Sequence, residues 1–190
     1  MMASVLAEGT TRIQNAAQEP EIVDLANFLI SMGADIDGAG TSEIIVRGVK
    51  QADLHGVEYT TIPDRIEAGT FMSAIIASRG KAVIRNVYPN HLTIFTGKLL
   101  EMGAKIRLVE PYAMEVSADR KLEAMNFITQ PYPGFPTDLQ ALAMTLLSTA
   151  NGVSVVTESL YENRFMHISE LWRMGANIRQ SKNHAIIKGV

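Results

Sequence analysis

Phe95-Thr96-Gly97-Lys98-Leu99-Leu100-Glu101-Met102-Gly103-Ala104-Lys105-Ile106-Arg107-Leu108-Val109 passes from helical apolar spacing to strand-like residues at one phrase, Met102-Gly103-Ala104. The same phrase occurs at Met32-Gly33-Ala34 and Met174-Gly175-Ala176, 70 residues before and 72 after. A further glycine precedes each phrase's own glycine by 24, 23 and 23 residues, at Gly9, Gly80 and Gly152. Each of these opens a β-branched run: Thr10-Thr11-Arg12-Ile13, Lys81-Ala82-Val83-Ile84 and Val153-Ser154-Val155-Val156. A fixed period means one supersecondary unit used repeatedly. This period suits a compact unit of about six elements rather than a thin solenoid.

The second unit reads most clearly. Residues 56–61 predict a short strand, and Ile62-Pro63-Asp64 opens a helix to about Ser78, with Asp64 and Glu67 at capping-box spacing. Residues 81–86 predict a strand. Pro89 starts a second helix whose apolar face is Leu92, Phe95, Leu99 and Met102, and Gly103 stops it. Residues 105–109 and 112–116 then form a strand pair joined at Glu110-Pro111. The order is β-α-β-α-β-β. The third unit repeats it: a strand at 126–129, a helix from Phe135-Pro136-Thr137 to about Ala150, and a strand at 153–157. A helix over 163–174 buries Phe165, Ile168, Leu171 and Trp172, and a hairpin of 177–179 with 185–188 closes the unit.

The first unit is shortened. Residues 1–8 read as the tail of its first helix, 9–15 as a strand, and 20–32 as a helix with Ile22, Leu25, Ala26 and Leu29 on one face. Its hairpin turns at Asp37-Gly38-Ala39-Gly40 and returns through Ile44-Ile45-Val46. The missing strand and half-helix predict a fragment or a naturally short product. A polar linker falls at 50–56, dividing a truncated unit, 1–54, from two units, 55–190.

Bulk composition narrows the function classes. With 190 residues, 47% hydrophobic and 19% charged, the chain is a globular protein long enough to bury a core. A net charge of -3 and no basic run give no reason to expect nucleic acid. There is no cysteine, so neither disulfides nor thiolate chemistry enter. Apolar runs are too short to span a bilayer, and Met1-Met2-Ala3-Ser4 lacks the features of a signal peptide, so no membrane is expected and the reading is cytoplasmic. His55, His91 and His184 form no metal spacing, and no cofactor is expected. No phosphate-loop, dinucleotide or nucleophile-elbow motif occurs.

Some residues fit a purely structural reading less well. Thr137 and Gln140 form a T-x-x-Q capping box, so Asp138 is not needed as the cap. Asp138 is either an acid suited to the helix dipole or a carboxylate held rigidly as a general base. The aligned residue of the second unit is Arg65. Arg164 stands at the start of the predicted 163–174 helix, where a cation opposes the dipole. It is either a surface partner of an acid such as Glu162 or a bidentate anion clamp. His167, near Phe165 and Met166, reads as a packed or surface histidine rather than a catalyst.

Four strings together resemble one family. Asn15-Ala16-Ala17-Gln18-Glu19-Pro20-Glu21-Ile22-Val23-Asp24, Pro63-Asp64-Arg65-Ile66-Glu67-Ala68-Gly69-Thr70, Phe135-Pro136-Thr137-Asp138-Leu139-Gln140-Ala141 and Glu162-Asn163-Arg164-Phe165-Met166-His167 are similar to the UDP-N-acetylglucosamine enolpyruvyl transferases. Phosphoshikimate enolpyruvyl transferase shares the fold but not these strings. The resemblance covers essentially the whole chain. It implies two lobes, each an inside-out α/β barrel of three units, of which this chain holds about two and a half of six. The implied activity is enolpyruvyl transfer from phosphoenolpyruvate to the 3-hydroxyl of UDP-N-acetylglucosamine, releasing phosphate, in peptidoglycan synthesis.

By the resemblance, Asp138 is the base that takes the hydroxyl proton, and Thr137 and Asp138 lie against the sugar nucleotide. Leu160 makes a backbone contact to that substrate, Arg164 binds phosphoenolpyruvate, and Glu19 and Glu21 line the cleft peripherally. The family's phosphate-binding lysine and asparagine, its flexible cysteine-bearing loop and its later arginines have no counterpart in this chain. The isolated chain is therefore expected to have little activity. Its partners would be the two small substrates and the missing units of the same enzyme, with self-association possible through exposed unit edges. The alternative is a non-catalytic remnant serving as a binding or structural module.

Overall fold

The computed structural model describes residues Met1–Val190. The recurring phrase ends three helices in the same way: α1 (Pro20–Ser31), α2 (Arg65–Ala77) lying between, α3 (Thr93–Glu101), α4 (Gln140–Leu147) and α5 (Ile168–Arg173) being the helices in chain order, with the phrase after α1, α3 and α5. In each copy the glycine is left-handed, at φ +107, +99 and +96 for Gly33, Gly103 and Gly175. Each glycine N–H donates to the carbonyl three residues back (Ile30, Leu100, Trp172) at 2.9 Å. Each alanine N–H donates to the carbonyl five residues back (Leu29, Leu99, Leu171) at 3.0 Å. This is the Schellman arrangement, which satisfies two orphan carbonyls and turns the chain into the next strand.

The strands repeat with the helices. The first sheet is β1 (Thr10–Gln14), β2 (Asp35–Asp37) and β3 (Glu43–Arg47), in the order β1-β3-β2. The second is β4 (Lys81–Arg85), β5 (Lys105–Glu110) and β6 (Ala113–Ser117), in the order β4-β6-β5. The third contains β7 (Phe127–Ile128), β8 (Val153–Thr157), β9 (Asn177–Ser181) and β10 (His184–Lys188), in the order β7-β8-β10-β9. In each, the last strand returns antiparallel through the middle, at Thr10↔Arg47, Lys81↔Ser117 and Val153↔Lys188. Alternating burial along β3 and β10 gives one face to the core and one to solvent.

The chain divides into two compact units, Met1–Ile62 and Pro63–Val190. The first has a small core containing Val5, Ala26, Ile36, Ile44 and Val46. The second has a much larger one, including Met72, Phe95, Leu99, Met102, Leu139, Met144, Val156, Ile168 and Ile187. The predicted apolar face of α3 is buried as expected: Leu92, Phe95, Leu99 and Met102 are at most 2% exposed. Asp64 caps α2, its Oδ1 accepting from the Ile66 and Glu67 N–H groups at 2.7 and 3.2 Å. No helix is long and apolar enough to cross a membrane.

The structure differs from the sequence expectation at several elements. Residues 56–61 form no strand. Instead, the Tyr59 hydroxyl donates to Asp24 Oδ1 at 2.8 Å and its ring packs 5.2 Å from Phe28, which holds the segment on α1. The leading parallel strand is present only in the third unit, where Phe127 pairs with Val156. The last helix is α5 alone, and 162–167 are turn. Trp172 is 51% exposed, its indole N–H donating to the Ile178 carbonyl at 2.8 Å.

Candidate functional site

Pro136 ends an extended stretch, and Thr137–Leu139 form one 3-10 turn before α4. Leu139 is fully buried against α2, where Gly69 leaves room: a Cβ there would lie 2.8 Å from Leu139 Cδ2. With Leu139 pinned inward, the neighbouring Asp138 faces outward, its side chain 51% exposed. The second wall comes from the chain leaving β8. It carries Leu160, Tyr161 and Asn163 to Arg164, whose guanidinium hydrogen-bonds Asp138 Oδ1 and lies 5.3 Å over the Tyr161 ring. Between the two walls runs an open groove of about 840 Å³, lined by Thr137, Asp138, Leu160, Tyr161, Arg164 and His167 among others.

All four site residues named from sequence, Thr137, Asp138, Leu160 and Arg164, line this groove. Two local expectations change. Thr137 and Gln140 do not make a capping box, since Pro136 is the cap position and no side chain caps it. Both side chains instead donate to Glu158 Oε2, at 2.9 Å from Thr137 and 3.3 Å from Gln140. Arg164 does not oppose a helix dipole, because it lies in the turn four residues before α5. Arg65, at the position aligned with Asp138, is buried with its guanidinium 5.6 Å over the Tyr132 ring.

The residue that sequence reading missed is Glu158. It is 2% exposed, and its Oε1 accepts from Thr129 Oγ1 at 2.7 Å, Leu160 N–H at 2.9 Å and Tyr161 N–H at 3.2 Å. Burial pushes its carboxyl up, but the hydrogen bonds from Thr129, Leu160, Thr137 and Tyr161 outweigh that and hold it below the ordinary value. A backbone contact from Leu160 to a ligand would therefore fall to its carbonyl, the N–H being engaged. A signal was available in the repeat. The residue after the strand is Asn15 in the first unit and Asn86 in the second, both left-handed at φ 50 and 56, but Glu158 in the third.

His167 stands at the groove edge, with Nε2 3.3 Å from Met144 Sδ. Burial lowers its pKa, which favours the neutral ring near pH 7. Glu19 and Glu21 lie at the start of α1 in the Met1–Ile62 unit. No group of three or more His, Asp and Glu side chains is placed to hold a metal ion. Chemically, the groove offers one carboxylate, one guanidinium and a flanking aromatic ring, a set suited to an anionic ligand bearing a hydroxyl.

The chain has recognisable relatives. The family model described as EPSP synthase (3-phosphoshikimate 1-carboxyvinyltransferase) matches residues 1–190. A UDP-N-acetylglucosamine 1-carboxyvinyltransferase 2 of Carboxydothermus hydrogenoformans is 57% identical over all of this chain and 45% of its own length. A UDP-N-acetylglucosamine 1-carboxyvinyltransferase of Gloeobacter violaceus is 53% identical over all of this chain and 41% of its own. The chain thus spans less than half the length of these relatives. Among solved structures, the enolpyruvyl transferase NikO from Streptomyces tendae superposes with a TM-score of 0.85 at 24% identity, over 98% of this chain and 44% of that one. It shares the fold: repeated β-α-β units, incomplete against the larger protein.

Proposed function

The chain belongs to the EPSP synthase (3-phosphoshikimate 1-carboxyvinyltransferase) family, and from that premise we propose that its groove is part of a UDP-N-acetylglucosamine enolpyruvyl transferase site. The observation that carries this reading is the convergence of Thr137, Asp138, Leu160 and Arg164 on one groove. Similarity to the carboxyvinyltransferases supports the choice of sugar nucleotide. In this reading the 3-hydroxyl of UDP-N-acetylglucosamine sits at Asp138, which takes its proton as the oxygen bonds to C2 of phosphoenolpyruvate and the C2–C3 double-bond pair takes up a proton at C3. Loss of a proton from C3 then restores the double bond as the bond from C2 to the phosphate oxygen breaks, and phosphate leaves. Arg164 holds the anionic donor bidentately and is drawn off Asp138 by it, which frees the carboxylate for the hydroxyl.

Residues 1–54 would be the last unit of one lobe and 55–190 two units of the other. The protein would act in the cytoplasm, without nucleic acid or membrane. One guanidinium cannot by itself hold a phosphate and a carboxylate through a transition state. Because the chain spans 45% of the first relative, the remaining anion contacts belong to the rest of such an enzyme, and the isolated chain should turn over very slowly. That coverage also favours a second reading, binding of the sugar nucleotide without turnover. The test is phosphate release from phosphoenolpyruvate with UDP-N-acetylglucosamine, alongside calorimetric binding of the nucleotide. Binding that weakens about tenfold or more in Asp138→Asn is expected. Binding that is absent, or indifferent to that substitution, would remove the reading.

A further inference from the structure

We propose that Glu158 is a positioning residue for the groove: its buried carboxylate locks the turn carrying Asp138 to the loop carrying Arg164. The inference rests on the reading of the groove as a substrate site. The two carboxylate oxygens divide the work. Oε2 accepts from Thr137 Oγ1 and Gln140 Nε2, on the turn and the first residue of α4. Oε1 accepts from the Leu160 and Tyr161 N–H groups, at the root of the loop. Thr129 Oγ1 donates to Oε1 and accepts from the Ser159 N–H at 2.9 Å, which ties in the end of β7 as well. A rigid planar group thus sets the separation of two segments that meet nowhere else through so many bonds.

The Asp138–Arg164 pair cannot set that separation by itself. Both side chains are more than a third exposed, and exposed pairs hold geometry weakly. The internal repeat supplies a control. The first two units place asparagine at this position, in the left-handed conformation asparagine tolerates, and fold the same strand order around it. The fold therefore does not require a buried charge here. A buried carboxylate is expensive unless fully hydrogen-bonded. Of the three units, only the one holding Asp138 and Arg164 carries it.

The experiment uses the 190-residue chain with Glu158→Ala, Glu158→Gln and, as a core control on the strand just before it, Val156→Ala. Amide hydrogen exchange is read at Leu139, Leu160 and Tyr161, and UDP-N-acetylglucosamine binding is measured by calorimetry. Glu158→Ala should speed exchange about tenfold or more on both the turn and the loop, as loss of charged hydrogen bonds implies, and weaken nucleotide binding in step. Glu158→Gln keeps Oε1, and Gln140 can rotate to present its buried, unpaired Oε1 to the new amide. Exchange should then return to within about threefold of the parent.

If Glu158→Ala does not fold, Thr137→Val substitutes for it: a change on the turn should loosen Leu160 and Tyr161 on the loop. Exchange that stays unchanged on the segment opposite the substitution would overturn the proposal. So would equal loosening of both segments by Val156→Ala. If the parent chain binds no nucleotide yet turn and loop loosen together, the clamp stands and the functional reading fails. If the parent binds and the segments move independently, the reverse holds.

Discussion

A carboxylate that is 2% exposed, as Glu158 is, must be either neutral or surrounded by donors, and here five donors keep it charged. Its folded pKa lies below the ordinary 4.5. A depressed carboxylate contributes stability that is complete above the unfolded pKa and disappears as pH falls through the folded one. Stability should therefore fall as pH drops below about 4.5. Glu115, bonded by Arg107 and Lys81 and held at about 2, adds to the same slope. Glu158→Gln should lower stability at pH 7 by only about 0.5 kcal/mol but flatten the acid slope, leaving the Glu115 part. Urea midpoints followed by Trp172 fluorescence from pH 7 to pH 3 measure both effects; an unchanged slope would mean that Glu158 is not the charged hub. Asp138 and Arg164 could be named from sequence because their motifs are contiguous strings. Glu158 was not, since its donors come from 129, 137, 140, 160 and 161, a set that only the folded chain assembles. The T-x-x-Q pattern at Thr137 misled for the same reason: both side chains turn to donate to a buried charge that would be far costlier to leave bare, and neither is placed to accept at the helix start.

Among the elements, the helix ends are where sequence and structure agree most closely. Gly33, Gly103 and Gly175 were readable because a Schellman turn demands a left-handed residue, and glycine adopts that conformation without steric penalty. The end of α2 makes the same turn without glycine. Arg79 is left-handed at φ 52, its N–H donating to the Ile76 carbonyl at 3.0 Å and the Gly80 N–H to the Ile75 carbonyl at 2.8 Å. Arg79→Gly should therefore stabilise the chain by about 0.5–1 kcal/mol, the relief of left-handed strain exceeding the added unfolded-state entropy. Gly103→Ala should destabilise it by about 1–2 kcal/mol, because a Cβ is forced into the left-handed region. Thermal midpoints of the two variants should shift in opposite directions, and a shared direction would contradict the cap assignment. The strand expected at 56–61 failed at this scale. Its β-pattern is real, but Tyr59 and its bonds to Asp24 hold the segment along α1, a tertiary pull that local pattern does not encode.

Over the whole molecule, the three-copy phrase made the repeat and its element order legible, and the chain divides into Met1–Ile62 and Pro63–Val190. Two separate apolar clusters mark that division. The one within Met1–Ile62 is built from small and medium side chains such as Ala16, Ala26, Ala34, Ile36 and Val46. The one within Pro63–Val190 holds phenylalanines, leucines and methionines at or near zero exposure. A unit of about 60 residues buries a smaller fraction of its surface than one of about 130, so its folding free energy is marginal. The single tryptophan, Trp172, lies in the larger unit and reports on it alone, whereas far-UV dichroism reports on both. Urea should therefore produce a dichroism loss at low concentration that fluorescence does not follow, then a second transition seen by both probes. Val46→Ala, in the smaller core, should move only the first transition, by about 1–2 kcal/mol, and Leu99→Ala only the second, by about 2–5 kcal/mol. Coincident transitions by the two probes, or either substitution shifting both, would show that the clusters fold as one cooperative body and would remove the basis for treating the units as separable.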